Sequence, residues 1–133
     1  MIRGIGLDLC EIARMEKLRM MTRFVERYFS EKEQQYIRAK GRSAGQTMAG
    51  IFAAKEALGK ALGKGLDFEL SEAEVWHDDD GCPYYHFQGE LKNRMAGIIP
   101  HLSISHDGGI AGAVCLLEYE GSGCTAAAGG KDG

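Results

Sequence analysis

At 133 residues and 14.5 kDa, the chain is sized for a single domain able to bury about two-thirds of its extended surface, which excludes a multidomain machine. Hydrophobic residues make up 44% and charged residues 26%, a globular composition that excludes a disordered or fibrous chain. The net charge of −3 hides a division: Arg14 to Lys64 holds 12 Lys and Arg against 5 Glu, a balance of +7, and the remainder carries −10; the basic half of an acidic protein points to an anionic partner or substrate.

In chain order, Ile2 to Leu9 is mostly apolar, with two glycines and Asp8 near its end, and reads as a buried strand. Ile12, Met15, Leu18 and Met21, followed by Phe24, Val25, Tyr28 and Phe29, recur at helical spacing and predict two helical pieces. Ser30 with Glu33 is a capping box opening a helix to about Ala39, and Lys40 to Arg42 forms a loop. Ser43 with Gln46 repeats that signature for the longest helix, with Met48, Ile51, Phe52, Ala54, Leu58 and Leu62 on one broad face and Gly63 as its stop.

Beyond Gly65 the pattern turns to strands. Val75 to His77 and Pro83 to Phe87 flank Asp78-Asp79-Asp80-Gly81, a hairpin turn. Glu90 to Ile98 predicts a short helix that Pro100 ends. His101 to His106 alternates as a strand, and Asp107-Gly108-Gly109 turns into the apolar strand Ile110 to Leu117. That run of eight residues falls far short of the roughly 20 needed to cross a bilayer. Residues 1–120 are therefore expected to form one α+β domain with helices packed on a small antiparallel sheet, and the Gly/Ala-rich residues 121–133 a disordered tail. Met1 to Asp8 lacks the apolar core of a signal peptide. Cys10, Cys82, Cys115 and Cys124 show no Cys-x-x-Cys pair, so reduced thiols in a cytoplasmic protein are expected.

Several motifs fail on spacing. Gly59 to Lys64 is one residue short of a phosphate-binding P-loop and lies at a helix end, Asp78 to Gly81 lacks the ligand spacing of a calcium loop, and Gly4-Ile5-Gly6 lacks the third glycine of a dinucleotide fingerprint. What remains is a set of oxygen ligands and cations. Asp8 lies at a strand end, where the plain alternative is capping the next helix; Glu56 and Lys60 share a helix face, where the plain alternative is an i,i+4 ion pair; His106 precedes a Gly-rich turn and is equally readable as an edge histidine.

Three segments taken together resemble the holo-acyl-carrier-protein synthases, a family of phosphopantetheinyl transferases: Gly4-Ile5-Gly6-Leu7-Asp8-Leu9 with Arg14, the run Phe52-Ala53-Ala54-Lys55-Glu56-Ala57-Leu58-Gly59-Lys60-Ala61-Leu62-Gly63, and Leu102-Ser103-Ile104-Ser105-His106. The resemblance implies transfer of 4′-phosphopantetheine from coenzyme A to a serine of acyl carrier protein, with release of 3′,5′-ADP, for fatty acid biosynthesis. It implies Mg2+ held by Asp8 and Glu56, catalytic roles for Glu56 and Lys60, and coenzyme A phosphates held by Lys60, Gly63 and His106. Ile51 stands where many relatives carry an Arg that helps with a coenzyme A phosphate, which leaves Lys40 or Arg42 to supply that contact. Glu56 is the candidate acceptor of the serine proton. Arg14, Arg19, Arg23 and Arg27 would receive the acidic carrier, and the resemblance also implies a homotrimer with sites between protomers. The competing reading is a non-catalytic nucleic-acid-binding module using the same basic half; no nucleic-acid motif or aromatic interleaving supports it, and neither nucleic acid nor membrane is an expected partner.

Overall fold

The computed structural model describes residues 1–121; apart from Gly121, the tail expected to be disordered lies outside the described residues. Three antiparallel strands, β1 (Ile2–Glu11), β4 (Ile98–Asp107) and β5 (Ile110–Tyr119), form one sheet in the order β1-β5-β4, while β2 (Ala73–His77) pairs with β3 (Pro83–Phe87) in a separate hairpin. Five helices accompany them: α1 (Ile12–Leu18), α2 (Thr22–Tyr28), α3 (Glu31–Arg38), α4 (Ala44–Leu62) and α5 (Gly89–Arg94). The α+β arrangement agrees with the sequence reading. No helix among the described residues is long and apolar enough to cross a membrane.

The core lies between α4 and the three-stranded sheet. Ala49, Ala53, Ala57 and Leu58 are fully buried, as are Ala111, Cys115 and Leu117 on β5. Small residues let the two layers approach closely. A side chain at Gly4 would land on the Ala61 carbonyl oxygen and one at Gly6 on that of Ala57, so the Gly-x-Gly pair on β1 exists to admit α4. This contact brings the end of β1 under Glu56 and Lys60.

The hairpin is fastened to α4 from the other side. Tyr85 donates its hydroxyl to the Ala54 carbonyl at 2.6 Å, and the wholly buried Lys55 ammonium lies 3.0 Å from Glu33 Oε1 and donates to the carbonyls of Leu70 (3.0 Å) and Ala73 (2.7 Å). Glu33 also accepts from the amides of Ser30 and Val75. Both charges are thus paired and hydrogen-bonded, which a buried ion pair requires. The expected Ser30/Glu33 capping box is present.

Several boundaries and caps differ from the sequence reading. Ser43 caps nothing: it closes a 3-10 turn, Gly41–Ser43, with a near-helical backbone in place of the extended cap conformation, and Gln46 reaches across to His106 instead. α5 stops at Arg94, short of Ile98, because Gly97 takes a left-handed φ of 80° and turns the chain into β4. Pro100 consequently lies in a strand, opposite Leu117; β4 is an edge strand, where a missing N–H is tolerated. β1 continues to Glu11, so Asp8 lies within a strand, and Glu11 occupies the helix-cap position once open to Asp8.

Candidate active site

Phe52, Glu56 and Lys60 follow one another at four-residue spacing and form a single stripe along α4. Lys60 Nζ is 3.1 Å from Asp8 Oδ1 and donates to the Leu7 carbonyl at 3.1 Å. Its partner is therefore Asp8 on the neighbouring strand, and the i,i+4 pair with Glu56 is not formed. Glu56 is half-buried; burial raises its pKa first, the nearby Asp8 charge raises it further, and Lys60 and Arg14 pull it partly back. A carboxylate with elevated proton affinity is thereby held beside a second carboxylate and an ammonium.

This donor set bears on a metal. Among the described residues no three His, Cys, Asp or Glu side chains converge into a closed metal cage. Two carboxylates suit magnesium, which takes few protein ligands and fills its remaining positions with water and substrate phosphate oxygens. Asp8 and Glu56 fit that ion. Gly63 closes α4 with a φ of 85°, its N–H donated to the carbonyls of Gly59 and Lys60, so its amide is already engaged.

The remaining phosphate candidates divide. Lys40 and His106 line a cavity of about 360 Å³ at the other end of α4, together with Gln46, whose amide nitrogen lies 3.0 Å from His106 Nε2. Arg42 is exposed on the 3-10 turn and does not line that cavity. Lys60 and Gly63 do not line it either.

Of the four arginines, Arg14 acts on the Glu56 carboxylate. Arg14, exposed on α1, stands 5.7 Å over the Phe52 ring, which packs against Phe24 and Tyr28 of α2, and Arg27 stands 5.9 Å over Tyr28. Arg23 is exposed on the same helix, and Arg19 is ion-paired with Glu16 at 3.1 Å. The aromatic seat at Phe52 is what places the basic surface next to Glu56; in the sequence it reads only as a core position. Tyr36 and His77, which also line the cavity, escaped the sequence reading because their contact joins α3 to β2.

A strand-borne carboxylate, a helix stripe of acid and lysine, and a separate cavity with Lys40 and His106 are groups of the kinds that suit phosphoryl transfer. The model of the 4′-phosphopantetheinyl transferase superfamily matches residues 4–115, and the chain belongs to that superfamily. A holo-[acyl-carrier-protein] synthase of Treponema denticola is 38% identical over 122 residues, covering 89% of this chain and 99% of the relative. Among solved structures, a holo-(acyl-carrier-protein) synthase from Bacillus anthracis in complex with CoA (3′,5′-ADP) matches with a TM-score of 0.75 at 38% identity over 90% of this chain and 98% of that one. The Helicobacter pylori holo-[acyl-carrier-protein] synthase in complex with coenzyme A matches with a TM-score of 0.72 at 34% identity, over 86% and 99%.

Proposed function

We propose that the chain transfers 4′-phosphopantetheine from coenzyme A to a serine hydroxyl of apo acyl carrier protein, the step that readies the carrier for fatty acid biosynthesis. The observation that carries this reading is the α4 stripe set against β1, in which Glu56, with its raised proton affinity, lies beside Asp8 and Lys60. The serine oxygen attacks the β-phosphorus, the phosphoanhydride bond breaks, and 3′,5′-ADP leaves. Glu56 accepts the serine proton. Lys60 neutralises charge on the phosphate oxygens and needs only to swing its exposed ammonium away from Asp8. Mg2+ held by Asp8 and Glu56 would supply charge neutralisation at the pyrophosphate. The exposed Arg14 and Arg23, with Arg19 and Arg27, steer the acidic carrier toward this edge.

The cavity holding Lys40 and His106 takes the nucleotide end of coenzyme A. Gln46 and Lys60 are 14 positions apart on α4, about 21 Å at 1.5 Å per residue, whereas the 3′-phosphate and the pyrophosphate are separated by one ribose. The two halves of one coenzyme A site therefore come from two copies of the chain. Ile5, Leu7 and Leu9, 62%, 60% and 67% exposed on the outer face of β1, supply an apolar surface for that assembly, which we take to be a homotrimer. The test is to incubate the protein with coenzyme A, Mg2+ and apo acyl carrier protein and to weigh the carrier: it should gain one phosphopantetheine, and an unchanged mass would overturn the reading.

A further inference from the structure

Lys40, His77 and His106, three side chains that can carry positive charge, line the cavity at the N-terminal end of α4, and among the described residues no carboxylate lines it with them. His77 is fixed within it. Its ring stacks on Tyr36 with centroids 4.1 Å apart and planes within 7°, and Lys40 Nζ stands 4.6 Å from the Tyr36 centroid. A lysine, a phenol ring and an imidazole are thus layered against one wall.

We propose that His77 is a specificity-determining contact that recognises a phosphate monoester in this cavity, the 3′-phosphate of the coenzyme A nucleotide, and takes up a proton as that group binds. The assignment rests on the coenzyme A reading above, and it adds His77 and Tyr36 to the coenzyme A phosphate contacts that the sequence offered, Lys60, Gly63 and His106 with Lys40 or Arg42. First, the surroundings disfavour the imidazolium: among the described residues Nδ1 is buried without a hydrogen-bond partner, and burial, then Lys40, lower the pKa, with Asp78 opposing. Asp78 itself accepts from the amides of Asp80 and Cys82 in the hairpin turn, while Tyr36 and Lys32 approach from α3 and His106 from β4. Second, the 3′-phosphate is the only monoester of coenzyme A, and its second ionisation near pH 6 makes it a dianion at neutral pH. Placed beside His77, it offsets the repulsion from Lys40 and stabilises the imidazolium.

The sign follows. Because protonation of His77 accompanies binding, preference for a 3′-phosphorylated nucleotide declines as pH rises from the lowered pKa of the ligand-free protein toward the higher pKa of the complex. Ionisation of the phosphate acts in the opposite direction and is unaffected by substitution of His77.

The experiment titrates the full-length protein with 3′,5′-ADP and with 5′-AMP at pH 6 and pH 8, in two buffers of different ionisation enthalpy. The preference for 3′,5′-ADP should be about tenfold greater at pH 6, the share of one charge-assisted contact, with proton uptake for 3′,5′-ADP and not for 5′-AMP. His77→Gln, which keeps a neutral hydrogen-bonding group, and His77→Phe, which keeps the stack on Tyr36, should both lose most of the pH dependence and the uptake at unchanged melting temperature. Persistence of both in either variant, or equal binding of the two nucleotides by the wild type, would overturn the assignment even if carrier modification proceeds. Failure of carrier modification with the nucleotide preference and its pH dependence intact would instead overturn the transfer reading and support the cavity assignment.

Discussion

At its C-terminal end α4 presents Glu56 and Lys60 to Asp8, where two carboxylates lie close enough for one to raise the pKa of the other; at its N-terminal end Gln46 contacts His106 at the wall of a cavity that, among the described residues, no carboxylate lines. The chemistry of the first end suits a cation and a proton, that of the second an anion. A single rigid helix holds them about 21 Å apart. On the function proposed above, the contrast means that one chain carries every part of a coenzyme A site without assembling it alone, and assembly of copies becomes a condition of chemistry.

The largest effect should come from removing the acidic end. Asp8→Ala or Glu56→Ala should lower the transfer rate at least a hundredfold, on the order expected when a charge-stabilising or proton-accepting group is lost, with nucleotide binding at the distant cavity largely kept. Near-normal turnover at limiting magnesium would remove that residue from the site. Next is the fastening between the two ends: Lys55→Met leaves Glu33 buried and unpaired and should cost about 3–5 kcal/mol in denaturant unfolding, with Glu33→Gln added to Lys55→Met recovering part of the loss.

A smaller effect concerns the carrier. Arg14→Glu or Arg23→Glu should raise KM for acyl carrier protein far more than KM for coenzyme A, with Arg14 the more damaging, since it alone among these arginines acts on the Glu56 charge. The difference should shrink above about 0.15 M salt, where the screening length is roughly 8 Å. Equal effects on both substrates would contradict a docking role. The smallest effect is in stability. A carboxylate whose pKa is raised in the folded state, by burial and then by Asp8, destabilises the fold once pH exceeds its ordinary value, and the loss is complete above the raised value. Glu56→Gln should therefore raise the melting temperature at pH 8 and leave it unchanged at pH 4, while abolishing proton acceptance. An unchanged or lowered value at pH 8 would contradict the crowding.

Much of the acidic end was legible in the sequence because it is local: Glu56 and Lys60 lie one helical turn apart, and Asp8 belongs to a short strand motif of which Gly4 and Gly6 are part. The pairing of Lys60 with Asp8 in place of Glu56 was not legible, since it depends on α4 pressing on glycine backbone. Lys55 stood in the sequence only as a member of the run from Phe52 to Gly63, because nothing in its neighbours reveals that it points to Glu33, 22 residues earlier. His77 and Tyr36 were hidden for the same reason. The helix expected to run to Ile98 was overextended because Leu91, Met95 and Ile98 fit a helical period, while the left-handed turn at Gly97 decides the backbone.

Complementation between defective copies tests the shared site most directly. Glu56→Ala disables one end of α4 and a Lys40→Ala, His106→Ala double variant disables the other. Each should be nearly inactive alone. After co-expression or subunit exchange, about a quarter of the sites in a random mixture receive both intact halves if each half comes from a different copy, and the carrier-modifying activity should recover toward that level. Recovery absent from mixtures shown to contain both variants in one assembly would contradict a site shared between copies.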